Sequence, residues 1–113
     1  MKNLQIQFKK VYAPIDQKSI LLNKLQKIYY VEFNLDMYML KSRKKEIIAL
    51  KQSFAHYLRE FGFNLVEISE IIGVSQHSTV INALRNYNNY RNVKDELIMD
   101  ISNRVERYFI KNC

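Results

Sequence analysis

Asn64–Tyr87 reads NLVEISEIIGVSQHSTVINALRNY, and the rest of the chain is organised around it. Leu65, Ile68, Ile71 and Ile72 recur at helical spacing and predict a short apolar helix. Asn64 in front of it, with Glu67 three residues on, has the form of a capping box. Gly73 supplies the left-handed backbone that a tight turn requires, and Ser75 is the expected cap of the next helix. On that second helix Val80, Ala83, Leu84 and Tyr87 share one face and must point inward. Ser78, Ile81, Asn82 and Arg85 lie on the other, and Gln76, His77 and Ser78 stand at its N-terminal tip. A short helix, a turn and a second helix with a polar tip form the pattern of a helix-turn-helix, which lays its second helix in the DNA major groove.

The flanking sequence is helical too. Two glycines and one proline leave little turn chemistry for a meander or barrel. At 48% hydrophobic over 113 residues, the chain can bury one core without metal or disulfide. Ser19 is read as the cap of a helix to Phe33, with Leu21, Leu22, Leu25, Ile28 and Tyr29 inward and Lys18, Lys24 and Lys27 outward. Such a basic amphipathic helix also suits a membrane surface, but packing in a bundle is the simpler use. Asn34 and Asp36 cap a short turn over Met37–Leu40. Glu46 opens a longer helix to Phe61, which buries Ile47, Leu50, Phe54, Tyr57 and Leu58 and ends at Gly62. Asn86, Asn88, Asn89 and Asn92 read as a polar connector. A last helix, Val93–Ile110, carries Leu97, Ile101, Val105 and Phe109 at intervals of four and a mixed-charge face expected to be solvated. The expected fold is all-α, a small helical bundle over residues 17–113. Residues 1–16 form an arm whose Leu4, Ile6 and Phe8 alternate like a strand and offer a homodimer contact.

Charge points to the partner. The net charge is +7, which draws a protein towards a polyanion. The densest basic cluster, KSRKK at Lys41–Lys45, lies between two apolar helices, where Lys44 and Lys45 are held near a rigid body and suit phosphate contacts. Lys51, Gln52 and Arg59 fall away from the apolar face of the long helix and join the phosphate set, as does Asn64. No apolar run reaches the roughly 18–20 residues that span a bilayer. No secretory signal is visible, and Cys113 is the one cysteine. Those features fit a cytoplasmic protein. His56 has no second ligand at metal spacing, and no nucleophile–base pair or paired carboxylates stand out, so neither a metal, a cofactor nor an enzymatic activity is expected.

Three stretches together resemble the C-terminal DNA-binding domain of the bacterial replication initiator DnaA, over about Ser19–Tyr108. LKSRKKEII (Leu40–Ile48) is similar to the basic loop entering that domain's long helix. KQSFAHYLRE (Lys51–Glu60) resembles the helix itself. LVEISEIIGVSQHSTVINA (Leu65–Ala83) resembles the initiator signature, with Gly, His-Ser/Thr-Thr-Val and Ala at the same spacing. The resemblance implies a minor-groove arginine at Arg43, base-edge contacts from His77 and Ser78, and phosphate contacts from Lys45, Lys51, Gln52, Thr79 and Asn82. Gln76 stands where the family usually has Asp; a carboxamide donates and accepts and suits adenine, whereas a carboxylate suits cytosine. Ser75 replaces a usual Arg, Val74 a usual Gly and Leu50 a usual Pro, so the DNA site is expected to differ. The initiator's ATPase loop, Gly-x-x-x-x-Gly-Lys-Ser/Thr, is missing, and no nucleotide is expected to bind. The expected partner is double-stranded DNA, in replication initiation control or transcription regulation. The alternatives are a Trp-repressor-like dimeric regulator and a protein-interaction adaptor that has lost DNA binding.

Overall fold

The computed structural model describes residues 14–35 and 44–110, with side chains for 17–35 and 44–109. Arg43, the arm with Leu4, Ile6 and Phe8, the expected turn Met37–Leu40 and Cys113 all lie outside the described residues. The described chain is all-helical: α1 Pro14–Phe33, α2 Lys45–Glu60, α3 Leu65–Ile72, α4 His77–Asn92 and α5 Glu96–Ile110. None of these helices is long and apolar enough to cross a membrane.

Helix α2 is the hub. It packs on α3, α4 and α5, while α1 leans mainly on α5 at the edge of the bundle. Each helix contributes large side chains to one core. Leu25 and Tyr29 come from α1, Phe54 and Leu58 from α2, Ile68 and Ile72 from α3, Val80 and Tyr87 from α4, and Ile98, Ile101 and Val105 from α5. Burial of each such side chain is worth about 1.5–3 kcal/mol. The Tyr29 ring meets Phe54 edge-on at 5.0 Å, joining α1 to the hub. The hydroxyls that go inward are paired: Tyr29 with Ser53 at 2.6 Å, and Tyr87 with Ser102 at 2.5 Å. Among the described residues no buried side-chain nitrogen or oxygen is left without a partner.

Several boundaries differ from the sequence expectation. Helix α1 begins at Pro14, not Ser19, because proline lacks only a hydrogen bond that the first turn does not make. Helix α4 runs through the asparagines to Asn92, where a connector was expected. Its last turns are held by the buried Tyr87, and packing outweighs weak helix propensity. The chain then turns at Lys94, whose φ is +56°, and Asp95 caps α5 by accepting from the Ile98 N–H at 3.1 Å. The buried stripe of α5 is Ile98, Ile101, Ser102 and Val105, so Leu97 and Phe109 flank it and do not centre it. Its charged residues are not simply solvated either. Arg104 donates to the Glu32 carboxylate at 3.2 Å and to the Glu32 carbonyl at 2.9 Å, and its guanidinium lies 4.7 Å from the Phe33 ring. Tyr108 also donates to Glu32, whose carboxyl is held below its ordinary range by that bond first and by Arg104 after it.

Candidate nucleic-acid interface

Helix α3 ends at Gly73 with φ +76°, where the Val74 N–H donates back to the Ser69 carbonyl at 2.9 Å. A side chain there would be strained, since L-residues avoid this region. After Ser75, α4 starts at His77 with Gln76 as its extended N-cap. The cap expected at Ser75 is therefore one residue late, and the Gln76 side chain makes no capping bond to the helix. No acidic residue occupies the first turn. The leading amides of a helix carry the positive end of its dipole and generally lack intrahelical acceptors; here one of them, the Thr79 N–H, is taken by the Gln76 carbonyl at 3.1 Å.

Around that end Gln76, His77, Ser78 and Thr79 are all exposed. The Ser78 hydroxyl lies 3.4 Å from the Gln76 carboxamide oxygen, so the two side chains sit as a pair. Val80, Ala83 and Tyr87 are buried. Ser78, Ile81, Asn82 and Arg85 follow at the complementary positions and are exposed, with an Arg85 guanidinium nitrogen 3.3 Å from the Asn82 carboxamide oxygen. Arg85 was not among the expected contact residues. Its spacing of seven from Ser78 is the signal that places it on the same face.

The helix is anchored at its other end. Besides Ser102, the Tyr87 hydroxyl reaches that of Tyr57 at 3.4 Å, and Tyr57 donates to Glu106 at 2.8 Å. Arg91 donates to the same Glu106 carboxylate at 3.2 Å. His56 stacks on the Tyr87 ring at 4.4 Å, which makes it a packing residue of the α2–α4 joint. Burial lowers its pKa from the ordinary histidine value, with Arg91 acting in the same direction and Glu60 and Glu106 opposing. The Tyr57 hydroxyl is pushed far up, by burial first.

The expected phosphate set divides in two. Lys44, Lys45, Thr79 and Asn82 are exposed and Lys51 is half-buried, its ammonium lowered in pKa by desolvation. Gln52 is only 9% exposed, which corrects the reading that it falls away from the buried face of α2. That face is wider than its apolar residues alone indicate, because α4 and α5 both cover it. Gln52 shares a groove with Lys45, Ile48, Tyr90 and Asp95. Asn64 and Arg59 have structural tasks. The Asn64 side-chain oxygen accepts the Glu67 N–H at 2.8 Å, and Glu67 accepts the Asn64 N–H at 2.8 Å. An Arg59 guanidinium nitrogen donates to the Phe63 carbonyl at 3.0 Å, across the turn that leaves α2. The residues therefore do not form one cluster. Lys45 and Gln52 lie beside Tyr90 on the last turns of α4, about 20 Å along the helix from His77 at 1.5 Å per residue.

Among the described residues no three His, Cys, Asp or Glu side chains come together in a way that could hold a metal ion. Compared with known proteins, the chain matches no family model, no curated relative and no solved structure.

Proposed function

We propose that the chain binds double-stranded DNA site-specifically, with α3, the Gly73 turn and α4 acting as a helix-turn-helix of the DnaA type. The observation that carries this reading is the N-terminal tip of α4. Four exposed residues with hydrogen-bonding side chains surround an uncapped helix end without an acid in its first turn, on a helix whose inner face is locked by Val80, Ala83 and Tyr87. Rigid presentation of donors and acceptors is what base-edge readout needs.

In this reading Gln76, His77 and Ser78 meet base edges, and the positive end of α4 faces the electronegative groove. Thr79, Asn82 and Arg85 follow the backbone along the exposed face of α4, while Lys44, Lys45 and Lys51 hold a second stretch of phosphates. The His77 tip of α4 and its far end beside Lys45 lie about 20 Å apart along the helix at 1.5 Å per residue, which corresponds to about six base pairs at 3.4 Å each. The DnaA resemblance adds Arg43 in the minor groove, where a narrow A·T-rich segment concentrates negative potential. Control of replication initiation, by occupying or competing for an initiator's sites, is the use that fits the resemblance.

Selection of bound duplexes from a random pool tests the proposal, and an enriched asymmetric motif is the expected result. On that motif His77→Ala costs about 1–3 kcal/mol and on random duplex almost nothing. Lys51→Ala weakens both alike. With about five cations on phosphates, log affinity falls against log salt with a slope of roughly −4 to −5. A pool with no enriched sequence, or a His77→Ala loss that is equal on both duplexes, defeats base readout.

A further inference from the structure

The outer face of α1 takes no part in the DNA reading. Ile20, Tyr30 and Val31 are 58%, 59% and 60% exposed, although the same helix already buries Leu21, Leu25, Ile28 and Tyr29 on its core side. Positions 20, 24, 27 and 31 follow at steps of four, three and four, which puts them on a single stripe of the helix surface. The stripe is apolar at Ile20 and Val31 and basic at Lys24 and Lys27 between them, with exposed Tyr30 beside it, a make-up that marks a candidate contact surface where single exposed apolar residues do not.

Beside the stripe, α1 and the end of α5 leave a groove of about 240 Å³ lined by Lys24, Lys27, Ile28, Val31 and Tyr108. Its floor is apolar and its rim is positive. The Lys24 stem crosses the apolar surface, with its ammonium 4.9 Å from the Phe109 ring. The carboxylate at this end of α1, Glu32, is already engaged by Arg104 and Tyr108, and the charge of Arg107 reaches both Glu32 and Tyr108. The groove thus offers hydrophobic contact flanked by cations whose nearby acid is neutralised.

We propose that this groove docks an acidic amphipathic helix of a partner protein. An apolar side chain of that helix seats beside Val31, and Asp or Glu residues about four and seven positions away pair with Lys27 and Lys24, respectively. Charge complementarity selects this occupant. A second copy, also at +7, would bring like-charged rims together. A concave floor receives a protruding side chain better than it does a lipid surface.

The test uses the full chain, labelled with ¹⁵N. It is titrated with a synthetic helical peptide carrying Leu on one face and Glu on the other, with a twin in which Lys replaces Glu, and with phosphatidylglycerol vesicles. The acidic peptide is expected to bind saturably and to move the amide resonances of Lys24, Lys27 and Val31, while the twin does not. Val31→Asp and Lys27→Glu are both at exposed positions. Each should weaken the peptide by about tenfold and leave thermal melting and duplex affinity unchanged. Failure of the acidic peptide to bind, equal binding of the twin, or full affinity in Val31→Asp overturns the proposal. So do resonance shifts confined to other faces, preferential capture by the vesicles, or sedimentation showing that a dimer covers Val31.

Discussion

The N-termini of α3 and α4 belong to consecutive helices and are finished in opposite ways. At α3 the reciprocal bonds between Asn64 and Glu67 close the end, and Lys18 of α1 donates to the same carboxylate at 3.1 Å. At α4 the N-cap side chain makes no such bond, no acid stands in the first turn, and the residues around the end are exposed. A missing cap forgoes about 1 kcal/mol of local stability. The first end serves the fold, satisfying its amides and tying α1 to the body. The second has no side-chain cap and leaves the positive end of its dipole facing solvent, and it is there that the proposed interface lies.

Closing the open end is the strongest way to break this contrast. Ser78→Glu puts a carboxylate in the first turn of α4, where it favours the dipole and stabilises the helix by about 0.3–1 kcal/mol. The same charge faces the DNA in the proposed complex, and like-charge juxtaposition there costs about 2–3 kcal/mol of affinity. Thermal melting and duplex binding should therefore move in opposite directions. A variant that gains stability and keeps its affinity would remove the α4 tip from the interface.

Opening the closed end has a smaller effect and the reverse signature. Asn64→Ala removes the acceptor of the Glu67 N–H and should cost about 1 kcal/mol of stability, read as a lower denaturant midpoint at unchanged slope. Duplex affinity should stay the same where the protein is folded. An affinity loss as large as the stability loss would restore Asn64 to the phosphate set from which its capping role removes it.

The two ends also divide what can be read from a sequence. The capping box, the left-handed Gly73 and the inward face Val80–Ala83–Tyr87 depend on residue type at spacings of three or four, so they were legible from the letters alone. The burial of Gln52 is not legible in the sequence, because Tyr90 of α4 and the start of α5, which line its groove, lie far along the chain. The reach of α4 through Asn86–Asn92 rests on the Tyr87–Ser102 pair, and the clasp of α1 on α5 rests on Arg104 and Glu32, 72 residues apart. No local period encodes either contact. The open end of α4 is legible as a polar tip, but its lack of a cap is not, because Ser75 offers a suitable side chain and only the backbone shows that the helix starts one residue later than a Ser75 cap would place it.

Acid should separate the two ends with the smallest perturbation of all. The Glu67 carboxyl is held below the ordinary value of 4.5 by the Asn64 N–H first, and by Lys18 in addition, against a burial effect that raises it. Its folded pKa lies below the unfolded one, so between the two the unfolded chain binds more protons. The associated stability is complete above the unfolded value and is lost as pH falls through the folded one. The window is therefore below about pH 4.5. Over it, amide exchange in the first turn of α3 should quicken relative to that of α4, which has no carboxylate there to protonate. Glu67→Gln keeps an acceptor for the Asn64 N–H and removes the charge. It should flatten this pH dependence while retaining part of the protection at neutral pH. Equal acid sensitivity at both ends, or an unchanged profile in Glu67→Gln, would mean that the closure of α3 does not rest on the charge of Glu67.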